Sequence, residues 1–154
     1  MKESEHLVKI RLATEDDILR ILEIEQEANS PPWTHGSFLS ELYKDDSCFV
    51  VAVDSFDTST IVGFAILSQV GDDGELLKIA VEGTSRGCGV GDLLMISVLE
   101  YSVENTFKSI FLEVRKSNTP AINLYKKHGF KNVRTRKDYY DSPVEDAVIM
   151  AKPV

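Results

Sequence analysis

The sequence predicts an α/β (α+β) fold: one mixed, twisted sheet of about seven strands with helices on both faces. Three observations carry this. Apolar residues alternate in some segments and recur at three-to-four-residue spacing in others. In chain order these segments read β-α-α-β-β-β-α-β-α-β-β. The stretch 75–114 holds a strand, a helix and a second strand, long enough for a right-handed crossover that makes those two strands parallel. The chain has 154 residues and a mass of 17.2 kDa. That is one domain's worth, so residues 1–154 are read as a single domain able to bury a core.

Each element has a local reason. Leu7 to Leu12 alternates through Val8, Ile10 and Leu12 as a first strand. Thr14-Glu15-Asp16-Asp17 resembles a capping box opening a helix, whose apolar side carries Ile18, Ile21 and Leu22 and which Pro31-Pro32 stops. Thr34 to Tyr43 forms a shorter helix with Phe38, Leu39 and Leu42 on one side. Cys48 to Val53, Ile61 to Val70 and Glu75 to Val81 read as strands. Asp54 to Thr60 loops between the first two, and Gly71-Asp72-Asp73-Gly74 turns between the last two. A glycine-rich loop, Arg86 to Gly91, leads into a helix ending near Glu104, with Val90, Leu93, Leu94, Val98 and Tyr101 as its core stripe. Ser109 to Val114 is a strand. Thr119-Pro120 supplies a cap and a proline at the first helical turn, and Gly129 ends that helix. Phe130 to Arg136 and Val144 to Met150 close the sheet.

Composition narrows the function. Hydrophobic residues make up 43% and charged residues 27%, as in an ordinary globular protein. The net charge of −8 disfavours a broad phosphate-binding surface, so no nucleic-acid partner is expected. The same charge suits a cationic substrate, but it is also an ordinary solubility charge. Cys48 and Cys88 lie too far apart for a CxxC pair, and His6, His35 and His128 are scattered, so no metal site is expected. The polar start, Met1 to His6, has no signal-peptide core, and no apolar run is long enough to span a membrane. A reducing, cytoplasmic setting is the simplest expectation.

The glycine loop lies at the carboxyl end of the strand ending at Val81, and Glu113 lies near the carboxyl end of the next parallel strand. Open α/β sheets bind ligands at that edge. Glycines let backbone N–H groups approach a phosphate, and a helix N-terminus adds partial positive charge. Taken alone, the loop reads better as a turn that merely starts a helix. It is not a Walker A loop, because Asp92 follows Gly91. Nor is it a dinucleotide fingerprint, because Glu82 to Ser85 separate it from the strand.

Arg86-Gly87-Cys88-Gly89-Val90-Gly91 is similar to the pyrophosphate loop of the GNAT acyltransferases, with Arg86, Gly89 and Gly91 at its defined positions. Leu77 to Val81 resembles that family's splayed fourth strand. Asn118, Ala121, Leu124, Tyr125, Gly129 and Phe130 match its following helix and turn. Pro32-Trp33-Thr34 with Phe38, Leu112-Glu113-Val114-Arg115 with Ser117-Asn118, and Tyr139-Tyr140 followed by Glu145 to Met150 further resemble the RimI-type ribosomal-protein-alanine N-acetyltransferases. The segment between Tyr140 and Glu145 is shorter than that family's pattern.

The resemblance implies the GNAT fold with acetyl-coenzyme A as cosubstrate. It implies a protein or peptide N-terminal amine, with alanine first, as acceptor. The pyrophosphate would meet backbone N–H groups of Arg86, Gly87, Cys88, Gly89, Val90 and Gly91. The acetyl carbonyl would face Ile79, Ala80 and Val81, and Asn118 would contact the cofactor. Glu113 would be the general base and Tyr125 the acid that protonates the departing thiolate. Read from spacing alone, Glu113 is a solvent-facing strand residue, Tyr125 is core packing and Asn118 is a cap. Trp33, Tyr139 and Tyr140 are candidates to line the peptide site, and Trp33 is also a candidate loop staple. Cys88, where a helix N-terminus would lower a thiol pKa, reads as filler at a variable position. Glu25 and Glu27 read as a solvated helix face. The same fold acting on a lysine, polyamine or small amine is the alternative, as is an acyl-coenzyme-A-binding module without catalysis. Monomer and homodimer both remain open.

Overall fold

A computed structural model describes residues 7–29 and 31–154, so the polar start Met1 to His6 lies outside the described residues. In chain order the elements are β1 (Val8–Leu12), α1 (Ile18–Ala28), α2 (His35–Leu42), β2 (Ser47–Asp54), β3 (Asp57–Val70), β4 (Asp73–Val81), α3 (Val90–Glu104), β5 (Ser109–Arg115), α4 (Thr119–Lys127), β6 (Lys131–Tyr140) and β7 (Glu145–Pro153). They form a seven-stranded mixed sheet in the order β1-β2-β3-β4-β5-β7-β6. Only the central pair, β4 and β5, is parallel. The expected fold class and element order are those observed.

Helices cover both faces. On one, Val90, Leu94, Met95 and Val98 of α3 and Tyr125 of α4 pack on Leu67, Leu76, Ile110, Leu112 and Met150. On the other, Ile18, Ile21 and Ile24 of α1 and Phe38 of α2 pack on Phe49, Val51, Phe64 and Ile66. Burying a large apolar side chain contributes about 1.5–3 kcal/mol, so these two layers fix the sheet between them. Leu93 departs from the expected stripe: it is 39% exposed, and Met95 is buried in its place.

Local signals set most element starts. The Asp17 carboxylate accepts from the Thr14 N–H at 2.8 Å and pairs with Arg11 at 2.8 Å, closing the capping box on a 3₁₀ turn before α1. The Thr34 hydroxyl accepts from the Ser37 N–H at the start of α2, and at the start of α4 the cap is Asn118, one residue before the expected Thr119, because its side chain accepts from the Ala121 N–H while Thr119 is already helical. The expected loop 54–60 shrinks to a two-residue turn, because β3 begins at Asp57. Its first four residues are exposed, so the hairpin runs past the core, where polarity carries no information about pairing. β6 likewise continues to Tyr140 rather than stopping at Arg136, and it forms an open edge with every residue but Tyr140 exposed.

Two features of β4 shape the functional region. Gly74 pairs with Ile110 and Glu75 with Phe111, and no further β4–β5 pairing follows, so the strands part beyond that point. Opposite β3, Leu76 pairs with Leu67 and Lys78 with Ile66, which leaves Leu77 as an extra, bulged residue. Among the described residues no helix is long and apolar enough to cross a membrane.

Candidate active site

The gap between β4 and β5 opens into two adjoining cavities. The first, about 520 Å³, lies against the glycine loop and is lined by Ile79, Ala80, Val81, Arg86, Gly87, Gly89, Val90, Gly91 and Asn118, with Leu124 of α4 opposite. The second, about 510 Å³, is lined by Trp33, Glu75, Lys78, Glu113, Tyr125, Tyr139 and Tyr140. Ala28, Asn29, Ile79, Asn118 and Ala121 line both. Each volume falls in the range of small-molecule sites, about 300–1,000 Å³. The sequence-predicted residues therefore sort into two groups that meet at Ile79 and Asn118.

The loop is built for close backbone approach. Gly87 and Gly89 have φ of 79° and 83°, a left-handed conformation that side chains disfavour, and a Cβ at either would meet nothing within 4 Å. Open space beside glycine N–H groups at the start of α3 suits a phosphate. The Arg86 side chain turns back, its Nε donating to the Val81 carbonyl at 3.1 Å. Cys88 is the exception in the loop. It is exposed and lines a small recess with Leu7, Val8 and Asp54, not the larger cavity. The acidic residue in the first turn of α3, Asp92, accepts from His128 at 2.7 Å and pairs with Lys127 at 3.0 Å. The His128 contact leads in holding Asp92 below the usual carboxylate range.

The second cavity holds the reactive groups. Glu113 lies on the α1/α2 face of β5, because Ile110, Leu112 and Val114 point into the α3 layer. One carboxylate oxygen accepts from the Tyr139 hydroxyl at 2.9 Å and the other from Arg136 at 3.0 Å. The Glu113 hydrogen bond, with burial, pushes the Tyr139 phenol up. Arg136 also lies 5.0 Å from the Tyr139 ring centroid. Tyr125 is 7% exposed and packs edge-on against Phe130. Burial drives its phenol far up, with Tyr140 adding to the shift, so it keeps its proton at neutral pH. Tyr140 is pushed up to about 12, chiefly by burial and then by Glu113.

Arg115 fixes this wall. Its guanidinium donates to the carbonyls of Pro143 and Asp141 at 3.0 and 2.9 Å, pairs with Glu145 at 3.3 Å, and lies 4.4 Å from the Tyr140 ring centroid. Trp33 sits against Phe38 at 5.2 Å between ring centroids and lines the cavity. It thus serves both as staple and as lining.

Four residues escaped sequence reasoning. Glu25, expected on a solvated face, is fully buried. It accepts from Lys78 Nζ at 2.7 Å, the Asn29 amide at 2.7 Å and the Trp33 N–H at 2.9 Å. Its amphipathic spacing carried no sign of Lys78, which comes from a distant strand. Glu27 is exposed as expected, but it lines the first cavity and accepts from the Gly83 N–H. Lys78 and Glu75 both point to the α1/α2 face. The Leu77 bulge puts Lys78 there, and only the pairing register reveals it. Among the described residues no group of three or more His, Cys, Asp or Glu side chains could hold a metal ion.

Comparison with known proteins agrees with this geometry. The profile of the acetyltransferase (GNAT) family matches residues 18–130. A [ribosomal protein bS18]-alanine N-acetyltransferase of Haemophilus influenzae is 37% identical over 138 residues, 88% of this chain and 91% of that protein. An N-alpha-acetyltransferase of Sulfurisphaera tokodaii is 35% identical, over 95% of this chain and 93% of that one. The crystal structure of the ribosomal-protein-S18-alanine N-acetyltransferase from Escherichia coli superimposes with a TM-score of 0.86 at 29% identity, covering 96% of this chain and 94% of that one. A parted central strand pair, a glycine loop opening a helix and similarity over most of the chain lead to one conclusion: the chain belongs to the acetyltransferase (GNAT) family.

Proposed function

We propose that this single domain transfers an acetyl group from acetyl-coenzyme A to the N-terminal amine of a protein, with alanine first, by direct attack in a ternary complex. The observation that carries the reading is the meeting of two cavities at the β4–β5 gap, one against the glycine loop and one holding Glu113 and Tyr125. The names of the relatives support the acceptor class: ribosomal protein bS18 alanine for one, N-alpha amines for another.

Acetyl-coenzyme A, when bound, supplies the activated thioester. The chain supplies the rest. Backbone N–H groups of Arg86 to Gly91 hold the pyrophosphate, and Asn118 borders the passage between the cavities. β4 beyond Glu75 has no β5 partner, so Ile79 to Val81 can offer a backbone N–H to the thioester carbonyl. Glu113, through a water, takes a proton from the acceptor ammonium, whose ordinary pKa is about 7.7–8.0. The amine nitrogen forms the new bond to the acetyl carbon as the C–S bond breaks, and Tyr125 gives its proton to the departing sulfur. The nitrogen loses its second proton as the amide forms, and exchange with solvent carries that proton away and restores Glu113 and Tyr125. Trp33, Tyr139 and Tyr140 wall the acceptor side.

The test uses acetyl-coenzyme A with two peptides, one starting in free alanine and one N-blocked with an internal lysine, read by mass spectrometry. Acetylation of the first alone supports the proposal. Acetylation of the blocked peptide overturns it in favour of lysine chemistry. Cofactor binding without transfer to any amine overturns it in favour of a non-catalytic module. Glu113→Gln and Tyr125→Phe are each expected to lower kcat about 10²-fold or more. Unchanged turnover in both removes them from the mechanism.

A further inference from the structure

The acceptor cavity holds two carboxylates, and they are not equivalent. Glu113 is compensated: Arg136 pairs with it and Tyr139 donates to it. Glu75 lies on the same face of the sheet, one strand away and half-buried, and it too lines the cavity. Among the described residues no hydrogen bond or ion pair reaches its carboxylate. The charged and titratable groups around it are Glu113 from β5, Glu41 from α2, Lys44 just after α2, and Tyr139 from β6. Lys78, the nearest cation along β4, is occupied by Glu25 at 2.7 Å. A half-buried carboxylate without a partner is costly unless a cation arrives to meet it. Burial, then Glu113 and Glu41, push its carboxyl up against the opposing pull of Lys44, which fits a group whose counter-charge is missing.

We infer that Glu75 is the docking carboxylate for the acceptor's α-ammonium group, a specificity-determining residue separate from the proton-accepting Glu113. The inference rests on the N-terminal acetylation reading above. It divides the work between two charges. Glu75 draws the acceptor in while the amine is still protonated. Glu113, fixed by Arg136 and Tyr139, takes the proton once the amine is in place. Glu75 thereby favours charged free amino termini over neutral nucleophiles and disfavours acidic first residues.

The test compares the wild type with Glu75→Gln and Glu75→Asp at saturating acetyl-coenzyme A. The acceptors are an Ala-Gly peptide and an Ala-Arg peptide of otherwise identical sequence. The α-ammonium group is charged at about pH 6.5 and neutral at about pH 9.5. The expected result is a KM for the Ala-Gly peptide raised about tenfold in Glu75→Gln at the lower pH, or about 1.4 kcal/mol. That effect should fade at the higher pH, kcat should hold, and Glu75→Asp should recover part of the loss. A KM change independent of pH, or no change, overturns the inference. A fall in kcat with KM unchanged also overturns it and makes Glu75 a proton acceptor. An effect seen only with the Ala-Arg peptide overturns it in favour of side-chain recognition. If the wild type acetylates no peptide amino terminus, the proposed function fails first and this assignment falls with it.

Discussion

Lys78→Met tests the buried pair that ties β4 to the loop carrying Trp33. Lys78 Nζ lies 2.7 Å from the Glu25 carboxylate, which is fully buried, and 5.1 Å from the Trp33 ring centroid. Methionine keeps the aliphatic stem and removes only the charge. The Glu25 carboxylate then retains two neutral donors, the Asn29 amide and the Trp33 N–H, and no cation. Removing one partner of a buried pair typically costs about 3–5 kcal/mol. The expected loss is therefore about 3 kcal/mol, a fall in Tm of about 6–12 °C for a domain of this size. Urea unfolding, followed by fluorescence of Trp33, the single tryptophan, reads the change directly. A loss under about 1 kcal/mol refutes the reasoning.

Other outcomes follow from the same geometry. Gly89→Ala places a side chain at φ 83°, a strain of about 1–3 kcal/mol, and it should raise the KM for acetyl-coenzyme A at least about fivefold while leaving peptide KM unchanged. Asp92→Asn releases His128 and Lys127 from the start of α3. Because the folded pKa of Asp92 is lowered, its contribution is present above the unfolded value of about 3.9 and lost as pH falls through the folded value. The variant should therefore be less stable than wild type at neutral pH and match it in strong acid, as thermal melts across that range would show. Tyr139→Phe removes one of the two donors on Glu113. A modest fall in kcat is expected in turnover assays at saturating substrates, and unchanged turnover would mean that Arg136 alone holds Glu113.

The sequence was most informative where local chemistry decides structure. Thr14, Thr34 and Asn118 open their helices as their side chains require. The glycine loop follows the strand ending at Val81 and opens α3, as its composition implied. Glu113 and Tyr125, separated by twelve positions, face one cavity because β5 and α4 follow directly in the chain. What stayed hidden depends on partners distant in sequence. Glu25 occupies a helix position that reads as solvated, and only Lys78, 53 residues away, makes its burial tolerable. Glu75 looked like the first residue of a strand. Its exposure to the cavity follows from where β4 and β5 stop pairing, and no residue pattern encodes that point. Tyr139 reaches Glu113 because β6 runs on past Arg136 to Tyr140 through Lys137 and Asp138, residues with little strand character.

β6 leaves a row of unpaired backbone groups along one side of the sheet. Such an edge invites a second chain to add a strand, the first step toward aggregation. Here Lys131, Arg134, Arg136 and Lys137 crowd that strand in a protein of net charge −8. Two copies approaching edge to edge would bring like charges together at strand spacing, so self-pairing is penalised. Arg136 stands in that guard while it holds Glu113. Neutralising it would therefore weaken the acceptor site and bare the edge in one step, and loss of solubility in such a variant should not be mistaken for loss of catalysis.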